Sequence, residues 1–186
     1  DRTDLIDAAA AAARYLLDRH WVDDQLRRVS LGGVVGSAAG LADDYGNLAE
    51  GLLALHQATG AGEWLAEAGG LLDVAVAGFG DDRGVFYDTA ADTDLLVRPH
   101  SPSDNAEPAG HSALAGALLG YAVLAGSEVQ LARADAALAA GGTVAASEPR
   151  FAGWLLAVAE ARQAGPLQVA IVGSGPAATA LTHAAR

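Results

Sequence analysis

An all-α fold of stacked antiparallel helical hairpins is predicted by three observations. Apolar residues recur with helical spacing through most of the 186-residue chain. Glycines fall just past several of these periodic stretches, where helices close. Finally, LAEGLLALHQATGAGEWLAEAGGLL (48–72) aligns without gaps on LAGALLGYAVLAGSEVQLARADAAL (114–138), with Leu48, Leu52, Leu53, Gly60, Leu65, Ala66 and Leu72 all recurring. A helix, a Gly-closed turn and an antiparallel helix thus repeat, which favours hairpins stacking side by side over a closed bundle. RYLLDRHWVDD (14–24) echoes VAVAGFGDD (74–82), so three hairpin units are implied.

The first helix is predicted from Thr3, as cap, to about Arg19, with Asp4 and Asp7 near its positive end. A second covers about Leu41 to Ala58 and is closed by Gly60; a third runs from about Glu63 to Ala77 and is closed by Gly78 or Gly80. Small β-prone pieces at Val85 to Tyr87 and Leu95 to Val97, separated by polar turn residues, predict a β-hairpin near 84–97. Helices follow at about Glu107 to Leu124, Glu128 to Ala140 and Glu148 to Gln163, and the run Leu167 to Val172 reads as a strand. The first helix of each repeated pair is rich in Ala and Gly, which allow close approach, so these helices are expected to form an inner layer.

With 52% apolar residues the chain can bury one substantial core. Residues 1–165 are expected to form the helical part, and 166–186 a short terminal strand-helix (α/β) element of the same domain. Eleven basic side chains, all Arg, face 23 acidic ones, and the formal net charge of −12 repels phosphate backbones and anionic lipid. Nucleic acid and acidic membranes are therefore not expected partners. The absence of Cys removes disulfides, thiolate nucleophiles and Cys-ligated zinc, and fits a cytoplasmic setting. The N-terminus carries no signal-peptide pattern, and the absence of Met implies a processed chain or a piece of a longer one. The uncharged run Pro108 to Ser127 approaches a membrane span in length, but its Ala and Gly, with His111 and Ser112, read as a helix buried in protein.

Most groups able to do chemistry gather between Asp81 and Ser112, in DDRGVFYDTAADTDLLVRPHSPSDNAEPAGHS. Together with WVDDQLRRVS, LADDYGNLAEGLLALHQATGAGEWL, GVFYDTA, LLVRP and DNAEPAGHSALAGALL, this stretch resembles the C-terminal region of the thioredoxin-domain-containing family related to spermatogenesis-associated thioredoxin-like protein. The resemblance runs from about Ala8 to Val172 and lies in the order and spacing of several motifs. It implies an (α/α)6 toroid similar to N-acylglucosamine 2-epimerases and some glycoside hydrolases, of which this chain is the later part. A thioredoxin-like domain would precede it and serve as a partner. Asp44 and Tyr45 fit the acidic-Tyr step opening an inner helix, and Asp88 with Thr89 fits the turn after Phe86. Ser103 to Ser112 departs from the family pattern by lacking an aromatic and carrying His111 in place of Asn.

Such a toroid gathers the N-terminal ends of its inner helices around one mouth, where ligands sit in concave scaffolds. Projected there are Asp43, Asp44 and Tyr45 ahead of one inner helix, and Asp104, Asn105, Glu107 and His111 ahead of the next. Trp21, Phe86 and Tyr87 offer flat faces to a sugar ring, and Arg98 is a further ligand contact, so a carbohydrate or other small polar ligand is expected. In the catalytic version, a carboxylate pair drawn from Asp43 or Asp44 and Asp104 or Glu107 works as acid and base on a glycosidic bond. An epimerase or isomerase would instead use His100 or His111 as proton shuttle.

Helix capping explains Asp43, Asp44, Asp104 and Glu107 equally well. Arg98 can equally be the partner of a nearby carboxylate, and His111 a hydrogen-bonded core residue. The balance falls to a noncatalytic ligand-binding toroid, with the sugar isomerase, epimerase or glycoside hydrolase as the alternative. The segment QVAIVGSGPAATAL (168–181) carries Gly173, Gly175 and Ala178 in dinucleotide-fingerprint spacing, but the second strand and the later acidic residue are missing, so no cofactor is expected. Helices facing absent neighbours would leave apolar flanks, and self-association of the chain is expected.

Overall fold

A computed structural model describes residues 2–167 and 169–185. The protein is mostly helical, with seven α-helices among the described residues: α1 (Thr3–Tyr15), α2 (Ala42–Thr59), α3 (Gly62–Phe79), α4 (Gly110–Ala125), α5 (Glu128–Ser147), α6 (Gly153–Ala164) and α7 (Pro176–Ala185). The first helix continues into a π-helical turn, Leu16–His20, so its predicted reach to about Arg19 is close. Thr3 is its first helical residue, not its cap; the cap position is Arg2, whose guanidinium pairs with Asp4.

The two aligned segments fold alike. Helix α2 turns into α3 through Gly60 at φ 73°, and α4 turns toward α5 through Gly126 at φ 66°, the left-handed conformation in which glycine has no steric cost. The inner helices α2 and α4 pack in parallel, in the register of the repeat. A Cβ on Gly110 would stand 2.7 Å from that of Ala42, and one on Gly46 2.7 Å from that of Ala113. Only glycine lets the two backbones approach this closely. Leu52, Leu72, Leu114 and Leu118 are fully buried, and α3, α5 and α6 cover the inner pair, with α1 against α2.

Several boundaries differ from the sequence expectations. Helix α4 starts at Gly110, not Glu107, because Glu107 precedes Pro108, which disfavours helical backbone, and the carbonyl of Glu107 instead accepts the N–H of Asn105. Helix α5 runs past Ala140 to Ser147: Gly141 lies within the helix because a side chain there would collide with Leu155 of α6. The last predicted helix is split into a 3-10 turn, Pro149–Phe151, and α6.

The β-hairpin expected near 84–97 is absent. The N–H groups of Val85, Phe86 and Tyr87 go to Asp81, His111 and the carbonyl of Phe79, leaving only an isolated bridge between Gly80 and Phe86, while Leu95 to Val97 lie exposed. Two short hairpins stand elsewhere: β1 (Trp21–Val22) with β2 (Gln25–Leu26), and β3 (Ser30–Leu31) with β4 (Val34–Val35). Their turns, Asp23-Asp24 and Gly32-Gly33, have positive φ at both central positions, which matches the twist of paired strands. The strand expected at Leu167 to Val172 is likewise absent among the described residues, Gln168 lying outside them. Among the described residues no strand lies beside this segment, and Leu167 and Val172 are exposed.

Candidate functional site

The parallel packing of α2 and α4 brings their N-terminal ends together, and most residues expected at the mouth meet around those ends. Asp44 Oδ2 accepts the N–H of Leu41 at 2.8 Å, capping its own helix. Arg28 spans both neighbouring carboxylates, at 3.2 Å from Asp43 Oδ2 and 3.2 Å from Asp44 Oδ2. Burial pushes the Asp44 carboxyl above its ordinary value, against the pull of the Leu41 N–H and Arg28. Tyr45 is buried, its ring 6.2 Å from that of Trp21 and 5.1 Å from that of Phe79, and its hydroxyl accepts the Leu26 N–H at 2.8 Å. It ties β2 to α2 from inside the core.

Asp104 joins two helix ends. Its Oδ1 accepts the N–H of Ala109, the cap position of α4, at 2.9 Å; its Oδ2 accepts the N–H groups of Trp154 and Leu155, in the first turn of α6, at 2.8 and 3.2 Å. The carboxylate is 7% exposed, so these bonds account for its burial. His111 is equally engaged. Its Nδ1 accepts the Phe86 N–H at 3.2 Å, which makes Nε2 the protonated nitrogen, donating to the Ala137 carbonyl at 2.9 Å. Burial lowers its pKa, and with both nitrogens committed it has none free to shuttle a proton.

The remaining predicted contacts are mostly structural. Phe86 is buried against His111. Arg98 lies 4.3 Å over the ring of Tyr87 and donates to the carbonyl of Thr89 in the following loop and to those of Gly78 and Phe79 at the end of α3, so its partners are carbonyls, not a carboxylate. Tyr87 itself meets Arg83, Asp81 and the exposed His100. Asn105 and Glu107 stay exposed and, with Asp43, Asp88, Ser101 and Ser103, line a polar recess of about 240 Å³. Among the described residues no group of acidic and His side chains is arranged to hold a metal ion, and no helix is long and apolar enough to cross a membrane.

A larger cavity, about 670 Å³, lies elsewhere, between α2, α4, α5 and α6. Its walls are chiefly apolar, from Leu53, Leu119, Val123, Leu131 and Val158, with the indole of Trp154 along one side. The volume falls in the usual range for ligand pockets. Two carboxyls line it, Glu128 at the start of α5 and Glu50 of α2, and Glu50 is half-buried with no hydrogen bond or ion pair among the described residues. Burial alone pushes Glu50 up to about 7. Sequence reasoning passed over this residue, although the repeat aligns Glu50 with Gly116, a lone acid within the apolar inner layer. No family model and no curated protein matches the chain.

Proposed function

We propose that the chain is a noncatalytic ligand-binding module, the later part of a helical toroid in a cytoplasmic thioredoxin-domain-containing protein, and that its ligand occupies the cavity between α2, α4, α5 and α6. The observation that carries this reading is the division of labour among polar groups. At the mouth, Asp44, Asp104 and His111 spend their polar atoms on helix ends and core bonds, whereas Glu50 faces a ligand-sized apolar cavity unpaired. Parallel inner helices with their N-termini together also suit a toroid.

A second reading rests on the polar recess. Glu107 and Asn105 stand exposed there beside Ser101 and Ser103, and a small polar ligand, a carbohydrate included, would meet acceptors and donors at the mouth. Fluorine-detected NMR with a set of fluorinated fragments and fluorinated monosaccharides separates the two. Apolar-bodied fragments should bind the wild type and lose binding in Ala157→Trp, which fills the cavity, while Glu107→Ala leaves them unaffected. Binding abolished by Glu107→Ala and untouched by Ala157→Trp moves the site to the mouth. Turnover of aryl glycosides or epimerisation of amino sugars, lost in Asp104→Asn, overturns the noncatalytic reading.

A further inference from the structure

Resting on the cavity assignment above, we infer that the cavity between α2, α4, α5 and α6 receives an organic cation, an ammonium group carried on an apolar body, with the Glu50 carboxylate as its counter-ion. Three features of the cavity support this. The first is placement. Glu50 Oε1 lies 2.5 Å and Trp154 Nε1 3.0 Å from the point a Cβ on Gly116 would occupy, so the carboxyl and the indole converge over a position kept free of side chain. A substituent at position 116 would displace the carboxyl; glycine leaves it directed into the cavity.

The second feature is charge. Besides Glu50, the charged residues lining the cavity are Glu128 at the start of α5 and Arg162 of α6; α4 contributes none. Arg162 is already held by Asp135, at 2.7 and 3.0 Å through two nitrogens, so it does not neutralise Glu50. The uncompensated charge of the cavity is therefore negative when Glu50 ionises, in a chain whose net charge is −12. An anion would be repelled, and a neutral molecule would leave the carboxylate desolvated without a partner, which is costly. A cation removes that cost.

The third feature is the wall. Trp154 lines one side with its indole, and Leu53, Leu119, Val158 and their neighbours accommodate an apolar body. The raised Glu50 carboxyl fits the same picture: an arriving ammonium favours the carboxylate and so expels the proton that the empty site retains.

The test uses three probes with one apolar body: 1-naphthylmethylamine, 1-naphthylmethanol and 1-naphthoate, titrated calorimetrically into the whole chain near pH 7. The amine is expected to bind about tenfold more tightly than the alcohol, and the carboxylate most weakly, as a desolvated ion pair requires. Glu50→Gln should bring amine and alcohol to within about twofold of each other. Repeating the amine titration in buffers of different ionisation enthalpy should show release of about half a proton per amine bound at a pH near 7, because Glu50 titrates at about 7. This measurement needs only the wild type, so it stands even if Glu50→Gln fails to fold. Equal binding of amine and alcohol without proton release overturns the cation inference and leaves the cavity reading intact. Failure of all three probes to bind, or a concentration-dependent dimer that excludes them, overturns both.

Discussion

Replacing Asp104 with alanine removes a carboxylate that two helix ends share. One oxygen caps the first turn of α6 through Trp154 and Leu155, and the other holds the Ala109 N–H at the start of α4. Loss of a helix cap costs about 0.5–2 kcal/mol, and a hydrogen bond to a charged group contributes about 1.5–3 kcal/mol. Because both belong to one side chain they do not simply add, and a total of about 2–4 kcal/mol is expected. For a chain of this size that lowers the thermal midpoint by about 6–12 °C. Asp104→Asn, which keeps one carbonyl acceptor, should lose about half as much. Glu107→Ala, altering an exposed side chain that makes no hydrogen bond or ion pair among the described residues, should stay within about 0.5 kcal/mol of wild type. Urea unfolding followed by circular dichroism gives all three values. If Asp104→Ala unfolds at the wild-type midpoint, or Glu107→Ala costs as much as Asp104→Ala, the assignment of Asp104 as a structural junction is refuted.

Three further outcomes are expected. His111 has a depressed pKa in the fold, so its contribution to stability is complete above its ordinary value of 6.5 and is lost as the pH falls below it; nitrogen-detected NMR should show a neutral form protonated on Nε2 and a ring that titrates below 6.5, and titration above 6.5 or an Nδ1-protonated neutral form would contradict the assigned bonds. Glu50 acts in the opposite sense. Its raised pKa gives stability that is complete below its ordinary 4.5 and fades as the pH rises through about 7, so Glu50→Gln should unfold at a higher denaturant concentration relative to wild type at about pH 8 than at about pH 5. Gly46→Ala places a Cβ 2.7 Å from that of Ala113 and should cost about 1–3 kcal/mol, whereas Gly142→Ala, with nothing within 4 Å, should gain about 0.5–1 kcal/mol in the interior of α5. Thermal unfolding of the two variants separates close helix contact from intrinsic helix propensity.

The helical layers were legible because periodicity and the gap-free repeat are properties of local spacing, and Gly60 and Gly126 mark the same turn in both copies. The strands were misplaced for a definable reason. Val85 to Tyr87 and Leu95 to Val97 have β-prone composition, but their donors are claimed by Asp81, His111 and Phe79, partners that no local pattern reveals. Of the true turns, Asp23-Asp24 and Gly32-Gly33, the second did carry a signal: Gly-Gly between Leu31 and Val34 is a hairpin sequence. At the mouth, sequence spacing identified residues that do gather near the two helix starts, while leaving open whether each one caps or binds. Asp104 illustrates the difficulty: it caps α6, some fifty residues further along the chain, as well as steadying α4. The Glu50 cavity needed four helices in place before an acid in an Ala/Leu-rich helix could be recognised as unpaired.

The location of the ligand site is tested most directly by the indole N–H resonances of the three tryptophans in a proton-nitrogen correlation spectrum during titration with 1-naphthylmethanol. Trp154 lines the cavity, Trp21 packs on Tyr45 beside the mouth, and Trp64 is buried beneath Arg14. With assignment through Trp154→Phe, the expected result is a saturable shift of the Trp154 resonance alone, abolished in Ala157→Trp. A saturable shift of the Trp21 resonance with Trp154 unmoved would contradict it and place the ligand at the mouth.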